Sequence, residues 1–143
     1  MGAQQSLDRA IGGEEVEHIA DRAFRVRGRN LAEFLENAAQ AMVALDGEPP
    51  YSDRFIRRVI DVAGDDRETL LVNWLNEVLY LEQTYHEFYD HFLLKDVTDN
   101  HLRAQLYGRQ LDHSVTSLKA VTFHNLKVKE GPEGLEATVV VDV

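Results

Sequence analysis

The stretch from Leu118 to Val143 constrains this chain most: two extended runs joined by Gly131-Pro132-Glu133-Gly134. On the first run Leu118, Ala120, Thr122, His124, Leu126 and Val128 share one face, and Lys119, Val121, Phe123, Asn125, Lys127 and Lys129 the other. Strand side chains alternate sides, so a period of two around a turn rich in Gly and Pro predicts a β-hairpin. The second run, Leu135 to Val143, is more uniformly apolar and β-branched, which suits a strand covered on both faces. It finishes with two adjacent carboxylates, the Asp142 side chain and the Val143 α-carboxyl. Terminal residues ordinarily fray because they bury little; here the most strand-like segment runs to the last residue.

At 143 residues the chain predicts one domain, able to bury roughly two-thirds of its unfolded surface. The absence of cysteine removes disulfides, thiolate nucleophiles and zinc–thiolate sites, and is compatible with a reducing cytoplasm, the expected location. No apolar run approaches the roughly 20 residues of a membrane span, and no basic-then-apolar signal pattern opens the chain. A net charge of −10 argues against this chain as the main electrostatic grip on a nucleic acid, although an acidic domain can act on one through a basic partner.

Met1 to Gly13 have no usable periodicity and read as a mobile leader, leaving 14–143 as the folded domain. Glu14 to Ile19 and Ala23 to Gly28 read as short strands flanking His18-Ile19-Ala20-Asp21. Asn30 is a candidate N-cap with Glu33 placed for a capping box, and Leu31, Phe34, Leu35, Ala38, Ala41, Met42 and Leu45 recur at helical spacing. After Pro49-Pro50, Arg54 to Ala63 alternates as a half-exposed strand whose apolar face carries Ile56, Arg58, Ile60 and Val62. Asp65 or Asp66 caps a second helix with a wide apolar band, Leu70, Leu71, Trp74, Leu75, Val78, Leu79 and Leu81, which implies burial across a sheet. Phe88 to Val97 and His101 to Tyr107 predict a strand pair around Thr98-Asp99-Asn100, and Leu111 to Ser117 a loop. Strands in runs with few crossover helices favour an α+β fold: a mostly antiparallel mixed β-sheet in two layers with two packed helices.

No nucleotide-binding glycine loop and no nucleophile elbow occurs, and nothing suggests a Ser-His-Asp arrangement. In isolation Asp21 reads as a solvated or turn-capping residue and Asp142 as a surface carboxylate. If the last strand pairs beside the N-terminal hairpin, however, Asp21, Asp142 and the Val143 carboxyl converge and demand a cation. An all-oxygen set suits a hard divalent ion, Ca²⁺ first, with Mg²⁺ or Mn²⁺ as alternatives. Lys119 is a solvated sheet residue on the bland reading, and His124 a hydrogen-bonded core histidine. His86, His91 and His101 lack metal-ligand spacing, Asp112-His113 reads as a local polar pair, and Asn73 and Asn76-Glu77 as a polar helix face.

Five segments in order resemble the archease family: His18-Ile19-Ala20-Asp21, Asn30-Leu-x-x-Phe-x-x-x-Ala-Ala39, Leu71-Val-x-Trp-Leu-Asn-Glu-Val-Leu-Tyr-Leu81, Lys119-Ala-Val-Thr-Phe-His124 and the final Val-Val-x-Asp142-Val143. The resemblance covers nearly everything after residue 14. It implies a strand-helix-strand-strand core with an insertion, and a protein that does not catalyse but activates an RtcB-type RNA ligase in tRNA splicing and RNA repair. Such an activator promotes guanylylation and multiple turnover of the ligase, so RNA is engaged only through that partner. Carried over, Asp21, Asp142 and Val143 would hold the metal, and Lys119, His18 and His124 would be functional or partner-facing. The chain departs from the family with Ile19 for Thr, Arg22 for an apolar residue and Phe123 for Tyr. Two other classes stay open. One is a metal-dependent phosphoester hydrolase using the same carboxylates with Lys119. The other is a scaffold or chaperone-like module in which the carboxylates only pin the C-terminus.

Overall fold

The computed structural model describes residues 21–143. The leader at 1–13, the strand expected over 14–19 and His18 lie outside the described residues. In chain order the elements are β1 (Asp21–Gly28), α1 (Leu31–Ala44), β2 (Phe55–Ala63), α2 (Arg67–Tyr85), β3 (Glu87–Lys95), β4 (His101–Gln110), β5 (Ala120–Thr122), β6 (Lys129–Gly131) and β7 (Gly134–Asp142). The α+β class is as expected, but the described strands form two sheets, each wholly antiparallel, where one mixed sheet was anticipated. One sheet has the order β1-β7-β5 with β6 also on β7; the other is β2-β4-β3. The helices join them, α1 packing on β1, β7 and β3, and α2 on β2, β3 and β5.

Local chemistry starts both helices. Extended Asn30 accepts the Glu33 N–H at 2.9 Å, and Asp66 accepts the Thr69 N–H at 2.8 Å, each satisfying a donor that the first helical turn leaves free. Glu33 reaches back one residue further than a capping box does: its carboxylate accepts the Arg29 N–H at 2.7 Å and grips the Arg29 guanidinium. The apolar band of α2 is buried as its width implied, and the Trp74 indole N–H donates to the Leu35 carbonyl at 2.8 Å, tying the helices together. Arg58 is the odd member of the apolar face of β2. It is held there by a two-pronged pair with buried Glu87, at 2.6 and 2.8 Å, while the Tyr89 hydroxyl donates to the same carboxylate.

The final hairpin departs from its alternation. Its first run is not one strand: after three residues of β5 the chain turns at Phe123–Leu126, with Asn125 in the left-handed region at φ 51° and the Leu126 N–H on the Phe123 carbonyl. Pairing resumes only in β6. Leu118 and Val121, assigned to opposite faces, are therefore both buried, and His124 is exposed in the turn instead of lying in the core. β7 buries Leu135, Ala137, Val139 and Val141 on one face, while its other face is partly open, so it is covered on one side only. Gly134 opens β7 at φ +122°, where a Cβ would lie 2.1 Å from the Gly28 carbonyl oxygen; only glycine fits.

One buried acid stands outside these networks. Glu82 is 2% exposed, its Oε2 accepts the Tyr89 N–H at a long 3.4 Å, and its Oε1 has no partner among the described residues. Burial, reinforced slightly by Asp46, pushes its carboxyl from 4.5 up to about 8. A carboxyl that holds its proton more tightly folded than unfolded favours the native state at pH below about 4.5, and that advantage drains away as pH rises towards 8. Glu82→Gln should therefore flatten the stability curve between pH 5 and pH 8, where the wild type loses up to about 1.4 kcal/mol per pH unit from this group. Urea unfolding across that window checks it; an unchanged slope in the variant would show Glu82 ionised in the fold.

Candidate metal centre

The β1–β7 ladder runs without a break from Gly28 opposite Leu135 to Asp21 opposite Asp142. Directly opposed residues of an antiparallel pair have Cβ atoms about 4.5–5.5 Å apart on the same face, so both carboxylates sit side by side at one end of the sheet. That face is the open one, because the alternate residues of β7 fill the core. Hydrogen bonding to the Asp21 carboxyl raises the Asp142 pKa above the ordinary carboxylate range, partial burial and the Asp21 charge add to the rise, and Lys119 opposes it. The Lys119 backbone N–H donates to the Asp142 carbonyl at 2.8 Å, and the next residue, Ala120, is the register partner of Asp142 on the other side of β7. Val143 follows directly, half-buried against the core.

Two residues of α2 set this edge. Asn76 accepts the Val121 N–H at 2.7 Å and donates to the Val121 carbonyl at 3.1 Å, and Gln83 donates to the carbonyls of Leu118 and Lys119 at 2.7 and 3.2 Å. Asn76 reads as a plain polar face in the sequence and Gln83 attracts no notice there. Their seven-residue spacing, which stacks them on one side of a helix beside its apolar band, is the signal that could have found them. Arg22, an unusual residue after the aspartate, donates to the Leu45 carbonyl at 3.1 Å, an open acceptor at the end of α1.

The structure brings Asp21, Asp142 and Lys119 together and leaves the histidines elsewhere. His124 lies beyond the point where β5 leaves β7, its ring accepting from the Asn125 side chain at 3.2 Å. His86 caps α2, His91 packs on Tyr107, His101 meets Asp61, and Asp112 pairs with Arg54 instead of His113. No three His, Cys, Asp or Glu side chains cluster among the described residues. The fit to a metal is thus that of two carboxylates needing main-chain oxygens and water to complete a shell. That donor set suits a hard divalent ion and lacks the nitrogen or sulfur that zinc favours.

The model of the Archease protein family matches residues 14–143. The chain belongs to the archease family. It is 37% identical over 139 residues to the archease of Archaeoglobus fulgidus, covering 90% of this chain and 96% of that one. With the archease of Methanosarcina barkeri it shares 34% identity over 140 residues, covering 91% and 94%. The solution structure of Methanobacterium thermoautotrophicum protein 1598 superposes with a TM-score of 0.62 at 29% identity, covering 87% of this chain and 93% of that one. A Thermotoga maritima crystal structure titled an archease, possible chaperone, has the same fold, with a TM-score of 0.64 at 22% identity, covering 87% and 91%. No helix among the described residues is long and apolar enough to cross a membrane.

The α2 clamp carries its own test. Asn76→Ala removes both bonds to Val121 and should lower stability by about 1–3 kcal/mol, with much faster amide exchange at Val121. Undiminished protection of that amide would show that pairing with β7 alone holds β5.

Proposed function

We propose that this archease is a non-catalytic activator of an RtcB-type RNA ligase, and that Asp21 and Asp142, with a main-chain oxygen of Val143, hold a divalent ion at the tip it presents to that ligase. The observation that carries the reading is the cross-strand pairing of two like-charged side chains on the open face of a fixed ladder. Directly opposed like charges weaken a sheet, so the arrangement makes physical sense where a cation or shared proton offsets the repulsion. When bound, the ion supplies a concentrated positive charge able to polarise a phosphate oxygen. The chain's own part is to hold two carboxylates at set spacing, to leave them open to a partner, and to keep Lys119 beside them on a segment clamped by α2. The net charge of −10 complements a basic, RNA-binding ligase and would speed encounter more than it deepens affinity.

Asp142→Asn tests this without threatening the fold, since it removes a repulsion and keeps the shape. In ligation assays with limiting ligase, the variant should lose activation by roughly tenfold or more, and calorimetry should show weaker Ca²⁺ or Mn²⁺ binding. Full activation by the variant would point instead to a chaperone-like role, the description carried by the Thermotoga maritima relative.

A further inference from the structure

The second sheet has a face with a different character from the rest of this acidic chain. The helices cover the side of β2-β4-β3 that carries Ile60, Val62 and Leu106; the other side is the open one, although Phe88, opposite Arg109 at one end, is buried. The registers set that open side in rows across the three strands. One row is Arg57, Tyr107 and His91, and the next is Val59, Gln105 and Leu93. A third is Asp61, Arg103 and Lys95, and at the far end Phe55 lies opposite Arg109.

Charge and aromatic surface coincide here. Arg57, Arg103, Arg109 and Lys95 face Asp61 and Asp90, with Asp96 also within reach of Arg103: four cations against three carboxylates, in a chain whose net charge is −10. Arg57 lies 5.9 Å over the Tyr107 ring, which also meets the His91 ring at 5.5 Å, and Arg109 lies 5.9 Å from the Phe55 ring. Phe55 is 77% exposed, Val59 47% and Leu93 39%, too open for residues whose purpose is packing. Cations held beside aromatic rings on an open sheet face, Phe55 exposed and Tyr107 half-buried, are what a flexible polyanion with stackable faces needs: phosphates take the guanidinium groups, and bases take the rings. An acidic peptide would engage only the cations and leave Phe55 and Tyr107 without a role.

We infer that the open face of β2-β4-β3 binds single-stranded RNA, with Phe55 and Tyr107 as stacking surfaces and Arg57, Arg103 and Arg109 as phosphate contacts. The choice of RNA over DNA rests on the ligase reading above; the existence of the binding face does not. Asp61 and Asp90 already engage Arg103 and Arg109, and the surrounding charge repels polyanions, so the contact is weak and salt-sensitive, an auxiliary hold on RNA beside a stronger partner. It lies on a different sheet from Asp21 and Asp142, so one protein could meet a ligase with one sheet and the ligase's substrate with the other.

The test is fluorescence anisotropy of the full chain, without ligase, on a labelled unstructured RNA of about ten nucleotides in about 50 mM salt. Because no ligase is present, failure here leaves the activator reading standing, and failure of Asp142→Asn in the ligation assay leaves the face standing. Neutralising about three phosphates predicts an affinity that falls roughly tenfold to twentyfold when salt is raised fourfold. Phe55→Ala and Arg57→Gln, both solvent-facing changes, should each weaken binding about fivefold or more. Arg27→Gln, the same charge loss on the other sheet, should leave it unchanged. Absence of salt-sensitive binding overturns the inference, and so does an Arg27→Gln loss equal to that of Arg57→Gln. Polyglutamate bound as tightly as RNA would also overturn it.

Discussion

The pairing of β1 with β7 is the constraint on which the rest of this structure depends. Its register is fixed by what β7 buries: a slip of one residue would turn Leu135, Ala137, Val139 and Val141 out of the core and put Thr138 and Asp142 into it. Each of those four side chains is less than 6% exposed, so the penalty for slipping is large compared with the repulsion between two partly solvated carboxylates. The ladder can therefore hold Asp21 opposite Asp142 although the pair itself opposes it. At the other end, glycines at 28 and 134 let the backbones meet where a side chain would not fit.

The neighbouring edge is held differently. β5 is three residues long, too short to fix itself by ladder bonds, and the Asn76 and Gln83 side chains take over the task from α2. Since α2 buries its whole apolar band in the core, the position of Lys119 is referred to a helix anchored there. A site built on a fixed register at one strand and a helix-anchored segment at the next is preorganised, which suits a group meant to meet a partner in one geometry. The open face of the other sheet carries cations and carboxylates interleaved, with the cations slightly in excess.

Much of this was legible in the chain itself, and the reasons differ by element. The helices announced themselves through Asn30, Asp66 and apolar residues at helical spacing, because caps and amphipathic faces are local properties. The juxtaposition of Asp21 and Asp142 was expected only on condition that the first and last strands pair, a contact between chain ends that no local pattern encodes. The break after Thr122 was hidden because alternation continues through Phe123 to Val128, while the chain turns at Asn125, one of the few residue types that accept a left-handed backbone. The division into two sheets was illegible for a similar reason: strand patterns report which faces are buried and say nothing of which strands share hydrogen bonds. His18 lies outside the described residues, and His124 turned out to be a surface residue once the strand bearing it was seen to end early.

The divalent ion proposed for the end of the β1–β7 ladder is open to direct measurement. Paramagnetic broadening of backbone amide signals by substoichiometric Mn²⁺ reads it directly, since the effect falls steeply with distance from the ion. Signal should be lost first at Asp21, Arg22, Lys119, Ala120, Asp142 and Val143, with the loss reversed by excess Ca²⁺ or Mg²⁺ and abolished in Asp142→Asn. Broadening that begins at another acidic stretch, such as Asp65-Asp66, or that survives Asp142→Asn, would contradict the proposed site.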